Sequence, residues 1–310
     1  MTTHKIIFIG TPDFAVPSLN KLIKAKYNII AVITQPDKKV GRKQEIVHSP
    51  VKKFALKHNI PLLQPQKIKE IENEINELKP DIIITAAYGQ IMPKIILNIP
   101  KFGCINIHGS LLPKYRGASP IQYAILKGEE KTGVTIIEMN ERMDEGRIIS
   151  QREIKIENTD TTASMHDKLS DSGANLLLET LPKIFNKKIT YIPQDDSKAS
   201  YTKILVKEDG KIDWNKSAQE IEMMIRAFYP WPNAHAKLES KRLKIIKAKV
   251  YKIKNNLSPG SIFKANNENL AVKCGQDALI LEKIQLEGKK GASGPEFLRG
   301  HQDIINKILK

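Results

Sequence analysis

Three side chains in this sequence have the types and the placement for acyl chemistry: Asn106 and His108 in the run CINIHGS, and Asp144 in the turn ERMDEGR. Side chains alternate faces along an extended strand, so Asn106 and His108 share one face while Ile105 and Ile107 take the other. Burying an amide beside an imidazole is costly unless both are hydrogen-bonded, so the pair asks for an explanation. Such residues also serve as local caps for neighbouring loops. Here they have company: GSLLP turns the chain, KYRGASP carries Arg116 and Gly117 into a helix start at Ser119-Pro120, and Asp144 follows the next strand. Together the three suit acyl transfer to an amine. The amide donates to an oxyanion, the imidazole handles protons, and the carboxylate orients or accepts. No GxSxG elbow and no Cys/His nucleophile pair is present.

The elements that must position these groups are legible as apolar runs. KIIFIG (5–10), NIIAVIT (28–34), PLLQP (61–65), DIIITAA (81–87) and FGCINIHGS (102–110) are separated by helix-length segments, with helix starts at Thr11-Pro12 and Ser49-Pro50. Nearly continuous apolar strands alternating with helices describe an α/β fold, Rossmann-like, with a mostly parallel sheet covered on both faces. Ligands of such sheets bind at the C-terminal strand ends, where Asn106 and His108 fall. GVTIIEMN (133–140) and IISQREIKI (148–156) are closely linked and suit an antiparallel pair, and a helix from Thr161 to about Phe185 closes a domain spanning 1–186. Residues 187–207 lose periodicity and read as a linker. Over 208–310 a helix near 216–228 precedes five short strands, which suggests a small β-barrel or sandwich, with an OB-like barrel as the expected form. After the first strand, Gly10-Thr11-Pro12-Asp13 lacks the glycines of a dinucleotide fingerprint and puts an acid in their place, which argues against a dehydrogenase.

At 310 residues the chain holds about two domains on a prior of ~150 residues each, and 41% apolar content supports a true core. No apolar stretch approaches the ~18 residues of a membrane span. With no leader or cleavage site at the N-terminus, a cytoplasmic protein is expected. Cys104 and Cys274 read as two buried thiols, and no metal site is expected. The net charge is +16, with 42 Lys against 8 Arg, a ratio that AT-rich coding alone would favour. Its distribution says more: residues 207–310 carry the same net +8 as residues 1–206, in half the length. Excess positive charge of this kind points to a polyanionic partner.

The run NIHGSLLPKYRGASPIQ closely resembles the pattern N-x-H-x-S-L-L-P-x-x-R-G of formyltransferases that use 10-formyltetrahydrofolate. GTPDFAVPSL, TQPDKKVGR, AAYGQIMP, TGVTIIEMN, KEDGKIDW, RAFYPWPNA and GKKGASGPEFLRG are similar to the methionyl-tRNA formyltransferase group within that family, in the family's order along the whole chain. Small departures are Tyr115 where Trp is common, Arg142 where Gly is common, and Arg147 where an acid is usual. The resemblance implies a catalytic trio of Asn106, His108 and Asp144. It implies a folate site at Ser110, Leu111, Leu112 and Pro113 together with Tyr88, Gln90 and Ile91. The co-substrate would be 10-formyltetrahydrofolate and the acceptor initiator methionyl-tRNA, with no metal, no membrane and no obligatory protein partner.

Two regions fit the tRNA. The loop PDKKVGRKQ (36–44) carries Arg42 and Lys43, and the resemblance implies that this loop reaches the acceptor stem. Over 237–254, eight basic residues, including Lys241, Arg242 and Lys244, face a single acid, Glu239. A basic ribbon of this kind suits phosphate contacts that position without reading sequence. Another folate-dependent formyl enzyme acting on a small amine would share the N-terminal chemistry but has no use for the basic C-terminal strands. An RNA-binding protein on an inactivated scaffold would not need the trio intact.

Overall fold

The computed structural model describes residues 3–40, 44–266 and 268–310. The chain divides into two compact units. The first is Met1–Pro120, Lys131–Lys155 and His166–Lys203; the second is Ile121–Glu130, Ile156–Met165 and Ile204–Lys310. A linear cut at residue 207 therefore separates segments that pack together.

In chain order the strands of the first unit are β1 (Lys5–Gly10), β2 (Asn28–Ile33), β3 (Lys38–Val40), β4 (Glu45–Val47), β5 (Leu62–Leu63), β6 (Ile82–Ala86), β7 (Cys104–His108), β8 (Arg116–Gly117), β9 (Lys131–Glu138), β10 (Ile148–Lys155) and β11 (Tyr201–Thr202). The helices are α1 (Val16–Lys24), α2 (Pro50–Lys57), α3 (Glu72–Leu78), α4 (Lys94–Leu97), α5 (Pro120–Leu126) and α6 (Thr162–Phe185), the last two shared with the second unit. The main sheet runs β10-β9-β7-β6-β1-β2-β5. From β7 to β5 every pairing is parallel, while β9 and β10 are antiparallel. Ile6 to Ile9 and Ile82 to Ile84 are fully buried, as strands covered on both faces must be. Ser49 caps α2 through the Lys52 amide, with Pro50 in the first turn. At Thr11-Pro12 the helix starts later than the sequence suggests. A 3-10 turn at Asp13–Ala15 buries Phe14 and Ala15 before α1 begins at Val16, with Pro17 in its first turn.

The second unit contains α7 (Ala218–Ala227), β12 (Ala234–Leu238), β13 (Lys241–Tyr251), β14 (Ile262–Ala265), β15 (Asn269–Lys273), β16 (Ala278–Leu286), β17 (Ala292–Ser293) and α8 (Gly294–Gly300). The antiparallel sheet runs β12-β13-β16-β15-β14, with β17 on β16. Its two edges are joined by the chain's last residues. Lys310 exchanges two backbone hydrogen bonds with Lys237 of β12, and residues 306–309 bond to Gly260 and Ile262 beside and within β14. That bridging pairs backbone groups of Lys237 on one edge strand and Ile262 on the other, which is how barrels reduce open sheet edges. Ile221 and Ile225 of α7 pack with Leu243, Ile245, Leu279 and Leu281 in the core beneath.

Candidate active site

Asn106 and His108 close β7 at the C-terminal edge of the sheet, with Thr85 of β6 opposite Asn106 and Thr135 of β9 opposite His108. The His108 Nε2 lies 2.9 Å from the Tyr115 carbonyl. A carbonyl can only accept, so the proton on the neutral ring is assigned to Nε2. The other nitrogen, Nδ1, is 3.6 Å from Asp144 Oδ2, beyond a normal hydrogen bond. It is the nitrogen left to exchange a proton or to donate to a substrate oxygen. Asn106 Nδ2 sits 3.4 Å from Asp144 Oδ1, and the Gly117 amide donates to Asp144 Oδ2 at 2.8 Å. One amide, one ring nitrogen and one carboxylate thus converge, each with its orientation set by a neighbour.

Asp144 occupies the left-handed region with φ 56°. Such a backbone costs a non-glycine residue roughly 1–2 kcal/mol, so the surroundings must hold it. Gly146 permits the turn: a Cβ there would lie 1.6 Å from the Glu138 carbonyl. The remaining support comes from residues the sequence presents as linker. Ile192 exchanges backbone bonds with Ile148, Tyr201 and Thr202 of β11 pair with Arg116 and Gly117 of β8, and Gln194 Nε2 donates to the carbonyls of Asp144 and Gly146. Arg116, with 1% of its surface exposed, donates to Gln194, Tyr201 and Asp196. Sequence reasoning missed all of these partners. The available signal was Arg116 itself, since a guanidinium beside buried strand ends requires several acceptors.

Residues 4–181 match the formyl transferase family and residues 204–302 the formyl transferase C-terminal domain. A methionyl-tRNA formyltransferase from Caldanaerobacter subterraneus subsp. tengcongensis is 45% identical over 99% of this chain and 100% of its own. Another, from Sulfurihydrogenibium sp., is 47% identical over 96% and 97%. The chain belongs to the methionyl-tRNA formyltransferase family. It is therefore an enzyme of formyl transfer. Among solved structures, an N-formyltransferase from Helicobacter canadensis in complex with folinic acid and dTDP-3-aminofucose superposes with a TM-score of 0.68, at 24% identity, over 90% of this chain and 99% of its own. HypX from Aquifex aeolicus, in complex with tetrahydrofolic acid, superposes at 0.67 and 16% identity over 98% of this chain and 48% of its own. Both share the fold.

Against the family pattern, the three departures find ordinary partners. Tyr115 is buried with φ 64° and offers its carbonyl to His108. Arg142 pairs with Glu145 at 3.4 Å, and Arg147 pairs with Glu138 and lies 4.2 Å over the Tyr191 ring.

The residues expected at the folate divide into two groups. Ser110 is fully buried and donates its hydroxyl to the Lys114 carbonyl at 2.7 Å, while Leu112 packs with Ile137 and Ile148. Tyr88 is 3% exposed and packs with Ile7, Ile9 and Ile83, and burial pushes its phenol up to about 12. These three side chains also shape the chain locally, at the two turns where the resemblance places the folate. Gln90 is tied to the Gln66 carbonyl and the Ile68 amide. Ile91 is 67% exposed, and Leu111 and Pro113 keep partial exposure. Thr135, also unread in the sequence, accepts from the Leu112 amide and donates to the Ser110 carbonyl, with Gln151 bonding both Thr135 and Leu112. The turn is thus shaped from β9 and β10.

Arg42 and Lys43 lie outside the described residues. The loop expected around them is entered and left by a two-stranded hairpin, β3 with β4. At its base Asp37 binds Lys52 at 2.6 Å and His48 at 3.0 Å, and the hydrogen bond from Lys52 holds the carboxyl below its usual range. In the second unit, Leu243 and Ile245 of β13 point inward and Arg242 and Lys244 outward. The register shifts around Ile246, so Ala248 and Val250 become the inward residues and Lys247 and Lys249 stay outside. Lys241 is exposed at the start of the strand. The change from even to odd basic positions is the sequence trace of that bulge.

Proposed function

We propose that Asn106, His108 and Asp144 catalyse transfer of the formyl group of 10-formyltetrahydrofolate to the α-amine of initiator methionyl-tRNA, giving N-formylmethionyl-tRNA for translation initiation. The observation that carries this assignment of roles is the convergence of the three groups at one strand end, with His108 Nε2 committed to the Tyr115 carbonyl and Nδ1 left facing Asp144. The amine attacks the formyl carbon. Asn106 Nδ2 and protonated His108 donate to the tetrahedral oxyanion, and the Asp144 carboxylate accepts the proton that the amine sheds. As the oxyanion collapses, the bond to folate N10 breaks and N10 takes up a proton. No net proton is consumed, and no covalent intermediate on the enzyme is required.

The folate lies along two turns that leave adjacent parallel strands: residues 87–91 after β6, with Tyr88, Gln90 and exposed Ile91, and Ser110, Leu111, Leu112 and Pro113 after β7. Ala87 and Gly89 both have positive φ there, and Gln35 Nε2 holds the Tyr88 carbonyl at 3.1 Å. On this reading residues 1–186 perform the chemistry, and 208–310 bind the tRNA backbone through Lys241, Arg242 and Lys244, aided by Arg42 and Lys43. The chain works without an obligatory protein partner, and in the cytoplasm, where its charged tRNA substrate is made. Among the described residues, no helix is long and apolar enough to cross a membrane.

The test is formyl transfer from 10-formyltetrahydrofolate with purified chain, comparing charged initiator tRNA, charged elongator tRNA and a nucleotide-linked amino sugar. Efficient formylation of the initiator tRNA alone is expected. Preference for the amino sugar would overturn the assignment of acceptor.

A further inference from the structure

We propose that Gln194 is a positioning residue for Asp144, a brace that transmits the rigidity of the buried Arg116 to the turn carrying the proton-accepting carboxylate. The inference rests on the reading of Asp144 given above. Gln194 uses all four of its hydrogen-bonding positions. Its Oε1 accepts from Arg116 Nε at 3.0 Å and from a terminal Arg116 nitrogen at 2.9 Å. Its Nε2 donates to the carbonyls of Asp144 and Gly146, each at 2.7 Å. The orientation of the amide is forced. A guanidinium only donates and a carbonyl only accepts, so flipping the amide would set donor against donor and oxygen against oxygen.

Both ends of the brace are anchored independently. Ile192, two residues before Gln194, exchanges backbone bonds with Ile148 at 2.8 and 2.9 Å. Arg116 is locked by Asp196 at 2.6 Å, by the Tyr201 hydroxyl at 3.0 Å, and by its amide bond to the Ser200 carbonyl at 2.8 Å. Between these anchors, Gln194 clamps the carbonyls on either side of Glu145. The first belongs to Asp144, whose φ of 56° would otherwise relax toward an ordinary value. Relaxation would swing the carboxylate away from the Gly117 amide, Asn106 and His108. Gln194 touches none of those groups, so it acts through the backbone of the turn. The structure therefore predicts that turnover suffers while substrate binding does not.

The experiment uses the full chain and measures kcat and both KM values for Gln194→Ala, Gln194→Glu, Asp144→Asn and the double variant Asp144→Asn/Gln194→Ala, with thermal unfolding of each. Gln194→Ala should lose about 10- to 100-fold in kcat, the scale of a catalytic group displaced by roughly an ångström, with both KM values within about twofold of the parent. Gln194→Glu keeps the acceptor for Arg116 and gains an ion pair, yet opposes two carbonyls with a carboxylate. It should stay folded and be at least as slow as Gln194→Ala. In the double variant, the loss from Gln194→Ala should vanish, because the two residues act as one unit. Normal turnover in Gln194→Glu would overturn the proposal, as would an effect confined to KM or a loss that multiplies with that of Asp144→Asn. Undiminished turnover in Asp144→Asn alone would instead remove the underlying role of Asp144. A slow Asp144→Asn beside a normal Gln194→Ala would sink only the assignment of Gln194.

Discussion

The end of β7 and the outer face of β13 are both rich in polar groups, but they are built in opposite ways. At the end of β7 the polar atoms are held by others: His108 by Tyr115, Asp144 by Gly117, its turn by Gln194, and Gln194 by Arg116. Along β13, Lys244 and Lys249 stand on the outer side of the strand and Lys241 is exposed at its start; among the described residues none of the three forms an ion pair. On the proposed function, the difference follows from the task. Stabilising a developing charge requires dipoles already aimed, which only a connected network supplies. Attracting a phosphate backbone requires charge density, which tolerates mobile side chains and gains from counterion release. A network fails as a unit; a charged face degrades one increment at a time.

That contrast can be broken by measurement. The largest effect should come from Asn106→Ala, which removes an oxyanion donor and should lower kcat by about 100- to 1000-fold with the folate KM little changed. Near-normal turnover would take Asn106 out of the mechanism. Next, Arg116→Ala should impair stability as well as rate, because it leaves Gln194, Tyr201 and Asp196 without their shared donor. Loss of charged hydrogen bonds at a buried site predicts about 2–4 kcal/mol, read as a lowered denaturant midpoint of the full chain. Unaltered unfolding would mean that the segment 191–202 holds itself in place.

On the other side of the comparison, alanine at Lys244 or Lys249 should leave kcat intact and weaken tRNA binding only a few-fold. Each should reduce the slope of log affinity against log salt by about 0.7 to 0.9 if the side chain meets one phosphate, and pairs should add. A single substitution that abolishes binding would show that β13 works as a specific network after all. The smallest effect concerns the thiols. Burial pushes both Cys104 and Cys274 up to about 12, so both remain protonated below that range and neither is accessible. A thiol reagent at pH 8 should find no fast-reacting group until the protein is unfolded. Rapid labelling would contradict the packing around one of them.

Much of this arrangement was legible in the sequence because it depends on local periodicity. The apolar runs at 5–10, 81–87 and 102–110 read as covered strands, and β1, β6 and β7 lie within them. Alternation put Asn106 and His108 on one face; the bulge of β13 went unread, although its basic positions change from even to odd across it. The convergence of Asn106, His108 and Asp144 was legible because glycine-bearing turns and chemically capable side chains cluster after those strands. The segment 187–207 was not. A stretch without apolar period reads as linker, yet its Gln194, Asp196, Ser200 and Tyr201 complete the surroundings of Arg116. Hydrophobic patterning records which residues leave water; it carries no record of which distant acceptor satisfies a buried donor. The same limit hid the bond of the Ser110 hydroxyl to the Lys114 carbonyl and the burial of Tyr88 among Ile7, Ile9 and Ile83. Strand identity, face and charge density were thus set by short-range order along the chain. The tautomer of His108, the left-handed backbone of Asp144 and the partners of Arg116 were decided by tertiary structure. Each depends on a hydrogen bond between groups that only the folded sheet brings within 3 Å or so of one another.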